Sequence, residues 1–148
     1  MGLREDAEKI LKENKTCALA TAKLDMFTED SLVRQIAIPE VATIRYVSEG
    51  LAVYFETSAN YKKYENLMRN NFAAIVITPH ERTTLQMEGI VRELYDESAA
   101  YVRSRLMNIF GESPYFSHAQ ARFMQFETTW FKILRDSHFP PKYEEMKV

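Results

Sequence analysis

Phe55-Glu56-Thr57-Ser58-Ala59-Asn60-Tyr61-Lys62-Lys63 is the stretch that decides how this chain is built. Upstream, Leu51 to Phe55 is short, apolar and β-branched or aromatic, the composition of a buried strand. Downstream, Tyr61, Tyr64, Leu67 and Met68 fall three, six and seven residues apart, so they share one helix face. The residues between carry two hydroxyls and an Asn, whose side chains bond free backbone donors and so favour turns and helix starts. Two lysines then enter the first helical turn, where the helix dipole prefers anions. Unpaired N–H groups, hydroxyls and two ammonium groups at one helix start suit a phosphate. The same lysines also read as solvated charges offset by Glu65 and Glu56.

Any phosphate site here is not of the nucleotide-triphosphatase or dinucleotide type. The only glycines stand at 2, 50, 89 and 111, too far apart for either glycine-rich loop. At 148 residues the chain can bury roughly 70% of its unfolded surface without staples, and it reads as one domain over 1–148. A hydrophobic share of 46% with 27% charged residues is ordinary for a globular protein. Net charge −2 with no basic block longer than two residues argues against nucleic acid as the main partner. No stretch is long and apolar enough for a membrane span and no leader is visible. The single Cys17 excludes an internal disulfide, fits a reducing compartment, and so points to the cytoplasm. It lies in the apolar run Cys17-Ala18-Leu19-Ala20, where a buried small hydrophobe is the expectation.

The run from Phe55 to Leu67, continuing through Asn70-Asn71-Phe72-Ala73-Ala74-Ile75-Val76 and Leu85-Gln86-Met87-Glu88-Gly89, resembles the pyridoxamine 5'-phosphate oxidase-like flavoproteins. Their pattern is a strand ending in Phe-x-Thr, a polar turn, a basic pair and a Leu, then Asn-Pro-x-Ala-Ala, an apolar strand and a strand ending in Glu-Gly. The resemblance spans about residues 7 to 95 and, more loosely, the strand around Trp130. It implies a mainly β, α+β fold: a split β-barrel of about six antiparallel strands with flanking helices, binding flavin mononucleotide (FMN) at a homodimer interface. On the matching positions, Thr57, Ser58, Lys62 and Lys63 would hold the phosphate. The ring would run along Ala42 to Val47, with Thr43, Ile44 and Arg45 beside it, and Thr84 or Gln86 near its edge. Trp130 would either border the flavin or pack in the core.

The resemblance has gaps. The arginine that often opens the flavin strand falls on Val41 or Ala42, and the family's glutamine falls on Thr84 with Gln86 one pleat further. Tyr101 and Arg105 match two of three positions that grip the pyridoxal phosphate in the oxidases, but the third is Ile109. The Arg-x-His-Asp-Arg signature is missing near the C-terminus, where His138 is the only histidine. Pyridoxamine phosphate is therefore not the expected substrate, and Tyr101 with Arg105, one helical turn apart, reads as a structural pair ahead of a weak substrate-binding one. The implied activity is oxidoreduction of a small molecule, with a reduced nicotinamide as a candidate donor. The same fold with a deazaflavin, or a non-catalytic flavin or haem binder, are the alternatives.

The rest of the chain fills in around this centre. Leu3, Ala7, Ile10 and Leu11 predict an amphipathic first helix over one mouth of the barrel. Thr16 to Lys23 predicts a strand, and Leu24 to Gln35 a long loop or short helical turn that could shape substrate entry. A strand resumes near Ile36 or after Pro39, and Ser48-Glu49-Gly50 turns it back. Phe72 to Thr78 is apolar on both faces, which predicts a central strand covered on both sides. Thr83 to Leu94 is a long strand in which Gly89 marks a bulge or a close approach. Asp96 to Phe110 is the second long helix, stopped by Gly111, and Phe123 to Leu134 the last strand. The tail from about 139 reads as a loosely held arm. His80, His118 and His138 lack ligand spacing, so no metal site is expected, and no Ser-His-Asp order suggests a hydrolase.

Overall fold

The computed structural model describes residues 2–148. Its elements are α1 (Leu3–Glu13), β1 (Thr16–Glu29), β2 (Leu32–Glu49), β3 (Ala52–Ser58), α2 (Lys62–Arg69), β4 (Phe72–His80), β5 (Thr83–Leu94), α3 (Asp96–Phe110), α4 (Pro114–Ser117), β6 (Ala121–Arg135) and β7 (Lys142–Lys147). The strands form one antiparallel sheet in the order β3-β2-β1-β4-β5-β6-β7, and β3 pairs again with β6 to close a ring of six. The architecture is the expected split barrel.

Alternation fills the barrel. Val53 and Phe55 of β3, Leu85 and Met87 of β5, and Phe126 and Phe131 of β6 point inward and are fully buried. Ala7 and Leu11 of α1 join this core, and the buried Tyr46 hydroxyl donates to the Leu11 carbonyl at 2.8 Å, pinning the helix end. A second apolar cluster, with Val102, Leu106, Phe116 and Phe123, lies beneath α3 and α4. At Gly89 the β5–β6 register slips, and a Cβ there would stand 2.4 Å from the Glu127 carbonyl and 2.7 Å from the Phe126 ring. The bulge needs glycine because two backbones and a ring meet at that point.

Three expectations change. Leu24 to Gln35 is no loop: β1 and β2 pair without interruption from Thr16↔Arg45 to Glu29↔Leu32. The turn is Asp30-Ser31, both with positive φ (49° and 65°), as two-residue hairpin turns require. Beyond Ala20 on β1 and before Tyr46 on β2 neither strand has a second neighbour, so the hairpin leaves the barrel as a two-stranded ribbon. Its many polar residues face water on a free ribbon instead of marking a loop. β4 is buried on one face only, with Phe72 and Val76 exposed within this chain. The tail is not free either: β7 pairs with β6 from Trp130↔Lys147 to Arg135↔Lys142, where β6 outruns β3 and offers an open edge.

Candidate functional site

The barrel is closed unevenly. β3 pairs with β6 along its whole length, Ala52↔Glu127 to Ser58↔Ala121, but with β2 only from Glu49↔Ala52 to Tyr46↔Phe55. Past Tyr46 the two strands part. Residues 41–45 of β2 keep β1 on one side and have no strand on the other. The β3–α2 turn stands across the gap, because Ser58 Oγ accepts the Asn60 N–H (3.2 Å) and the Tyr61 N–H donates to the Ser58 carbonyl (3.0 Å). Two clefts fill the split. One of about 350 Å³ is lined by Leu19, Thr21, Glu40, Val41, Ala42 and Asn60 to Lys63. The other, about 140 Å³, is lined by Thr43, Ile44, Arg45, Glu56, Tyr61, Lys63 and Phe116. Tyr61 and Lys63 belong to both.

α2 is locked over β1 by its buried Asn66, which donates to Thr21 Oγ1 (3.2 Å) and Glu40 Oε2 (3.1 Å). Glu40 then faces Lys62, Oε1 to Nζ 3.9 Å. Burial holds the Lys63 ammonium below its ordinary pKa, against the opposing pull of Glu56. Burial likewise raises the Glu56 carboxyl, against His118, Lys63 and Arg45. Glu56 Oε1 is buried with no hydrogen bond among the described residues, and His118 Nε2 lies 3.7 Å from it. His118 Nδ1 accepts the Gln120 N–H (3.2 Å), which leaves Nε2 as the proton-bearing nitrogen toward Glu56. Arg45 is fixed by three rings, its guanidinium 5.1 Å from Phe110 and Phe116 and 6.0 Å from Tyr115. Three cations thus face two carboxylates around the split, a surplus that favours an anion.

The sequence-derived residues divide into groups. Thr43, Ile44, Arg45, Lys62 and Lys63 line the clefts. Thr57 and Ser58 do not: Thr57 turns into the barrel, 1% exposed, its Oγ1 buried without a partner among the described residues, and Ser58 shapes the turn. Gln86 lies in the register row Thr43–Ala18–Val76–Gln86, three strand spacings or ~14 Å from Thr43. Trp130 is one strand further out, opposite Glu88 and close to Lys132 (6.0 Å), and Thr84 pairs with Leu134. Tyr101 and Arg105 both bind Glu49 Oε1, at 2.5 and 2.9 Å, so this carboxylate of the β2–β3 hairpin occupies the grip they form. Sequence reading missed Glu40, Asn66 and His118. Glu40 carried one available signal, an acidic residue opening the very strand that the resemblance places along the ring.

A closed antiparallel ring with one parted seam defines the class, a split barrel with a basic helix start facing an open strand edge. The model for pyridoxamine 5'-phosphate oxidase matches residues 3–134, and the chain belongs to that family. Solved structures agree on the fold. A putative pyridoxamine 5'-phosphate oxidase from Listeria innocua is similar with a TM-score of 0.69 at 15% identity, over 89% of this chain and 98% of that one. HutZ, a haem storage protein from Vibrio cholerae, is similar with a TM-score of 0.68 at 17% identity, over 86% and 91%. An FAD-binding protein from Mesorhizobium loti is similar with a TM-score of 0.64 at 16% identity, over 90% and 94%. No curated protein matches this sequence. Among the described residues no helix is long and apolar enough to cross a membrane.

Proposed function

We propose that the chain binds FMN in the split and acts, as a homodimer, as an oxidoreductase on a small molecule. One observation carries this reading: residues 41–45 of β2 present an open edge to a helix start bearing Lys62 and Lys63. A flat ring with hydrogen-bonding groups on its rim suits unpaired strand amides and carbonyls, and a phosphate suits the lysines. When bound, the flavin supplies hydride or electron transfer. The chain's own groups bind and orient. Lys63 is the principal anchor because it is half-buried and borders both clefts, whereas the more exposed Lys62 exchanges Glu40 for the ligand. Arg45, stacked among rings, holds a fixed positive charge at the far end of the open edge.

The homodimer is supported by what one chain leaves unfinished. Val41 is 72% and Phe72 65% exposed, and Gln86 and Trp130 stand far from the split of their own chain on the sheet's outer side. A reduced nicotinamide is the proposed electron donor, and the cytoplasm the proposed compartment, since Cys17 is free and fits a reducing environment. The test is an absorption spectrum of the purified protein before and after loading with FMN and removing the excess. A retained two-banded flavin spectrum supports the reading, and Lys62→Ala with Lys63→Ala then weakens FMN far more than riboflavin. Equal losses for both ligands remove the lysines from the phosphate. A chromophore with a Soret band instead assigns the split to haem, as the likeness to HutZ allows, and a deazaflavin spectrum assigns it to that cofactor.

A further inference from the structure

Four positions on neighbouring strands stand in one row on the outer side of the barrel: Val47 opposite Tyr54, Tyr54 opposite Gln125, and Gln125 opposite Arg92. Residues directly opposite each other share a face, so these side chains lie one strand spacing apart. Ser98, Tyr101 and Val102 of α3 fall three and four residues apart and form one helix face. Between that face and the row lies a cavity of about 230 Å³, lined by the buried Leu94 and Val102 and by Tyr54 and Tyr101. The second apolar cluster separates it from the split: Phe116 of that cluster borders the split, whereas Leu94 and Val102 border this cavity.

Arg92 brings an unneutralised charge to this cavity. Its Nε and Nη2 both donate to Gln125 Oε1, at 3.1 and 2.7 Å, and the amide leaves the positive charge intact. Of the guanidinium's five N–H donors, both on Nη1 and the second on Nη2 remain, the edge that matches the two oxygens of a carboxylate. The neighbouring carboxylates are engaged elsewhere. Glu93 holds Tyr64 (2.6 Å) and faces Arg122 (3.8 Å), and Glu49 holds Tyr101 and Arg105. Burial, reinforced by the Glu49 carboxylate, raises the Tyr54 hydroxyl above its ordinary pKa against Arg92 and Arg105, so it stays a proton donor at neutral pH. We infer that this cavity binds a small aromatic carboxylate, its carboxyl on the free edge of Arg92 and its ring against Tyr54, Tyr101 and Val102. One guanidinium balances one negative charge, which suits a carboxylate better than a phosphate dianion. The tyrosine rings and apolar lining suit an aromatic body. The volume is below the ~300–1,000 Å³ of drug-sized sites, which limits the ligand to about one ring. The site is distinct from the split and does not depend on the flavin reading.

Nuclear magnetic resonance titration of the ¹⁵N-labelled full chain with phenylacetate and 4-hydroxyphenylacetate, with and without FMN, tests this. The expected result is saturable shifts of the Leu94, Ser98 and Val102 amides at millimolar ligand, the same in both states. Arg92→Gln should raise the dissociation constant at least about tenfold, and Arg92→Lys, which keeps the charge but not the fork, should fall between. Ser98→Trp, at an exposed helix position, should fill the cavity and abolish the shifts even if Arg92→Gln perturbs the fold. The neutral phenylacetamide should bind at least about tenfold more weakly. No saturable shift with either acid, equal affinity for phenylacetamide, or an Arg92→Gln variant that binds like the parent overturns the inference. Inorganic phosphate binding as tightly as the acids reduces the site to a general anion contact and also overturns it. Shifts confined to Thr43–Arg45 and Lys63 place the acid in the split, with the same consequence. Each failure leaves the flavin reading standing, because FMN retention is read separately from its absorption.

Discussion

The two edges of β3 are built from one seven-residue strand, yet they do opposite work. Toward β6 every residue from Ala52 to Ser58 is paired, and Phe126 and Met124 close the interior behind the seam. Toward β2 pairing stops at Tyr46, and Lys63, Arg45 and Glu56 line the gap beside Tyr61, Ile44 and Phe116. The closed seam concentrates buried area, which stabilises. The open seam concentrates charge and unpaired backbone, which costs stability and gives a ligand something to bind. On the proposed function, stability and binding are thus assigned to different edges of one strand.

The predictions separate those edges. Phe126→Ala should cost about 3–5 kcal/mol, because a fully buried ring is lost where β5, β6 and β3 meet; chemical denaturation measures it. Gly89→Ala should cost about 1–3 kcal/mol by overpacking against the Glu127 carbonyl and the Phe126 ring, read as a lower thermal midpoint. Neither should change FMN affinity of the folded fraction, and a selective loss of binding in either would collapse the distinction. On the open edge, Lys63→Ala should weaken FMN about tenfold, as loss of one charge-assisted bond does, with Lys62→Ala weaker in effect because that side chain is solvated; titration calorimetry compares them. Thr57→Val should stabilise the ligand-free chain by about 1 kcal/mol, because it removes a buried hydroxyl with no partner among the described residues; a loss of stability would mean the hydroxyl is satisfied in solution.

The smallest effect is in pH. Glu56 is raised above its ordinary carboxyl value of 4.5, so the folded chain holds that proton more tightly than the unfolded chain. Stability from this group is complete below 4.5 and is lost as pH rises through the raised value. Glu56→Gln should flatten that fall in urea denaturation between acid and neutral pH. An unchanged slope would show that Glu56 is compensated by His118, Lys63 and Arg45 together.

Much of the closed barrel was legible because it rests on local periodicity. The strand at Thr83–Leu94 and the helix at Asp96–Phe110 have the boundaries their alternation, spacing and terminal Gly111 predict. Gly89 signalled its bulge because a glycine inside a strand has few other reasons to be there. The ribbon was not legible, since Asp25, Glu29, Asp30 and Ser31 look like loop residues wherever a strand faces water on both sides. β4 misled in the opposite sense: Phe72 and Val76 are apolar for a surface that one chain leaves bare.

For the site, the order strand, polar turn, basic pair and helix was fixed by adjacent residues, and the sequence by itself therefore determined where a helix start bearing Lys62 and Lys63 would form. That Lys63 and Arg45 share a cleft, that Glu40 faces Lys62 through Asn66, and that His118 stands beside Glu56 was decided only by tertiary structure. Those pairs are separated by 18 to 62 residues and come together only because β2 and β3 part after Tyr46 while β6 stays zipped to β3. Local patterns set which face a side chain takes. Only closure of the ring sets which distant side chains it meets.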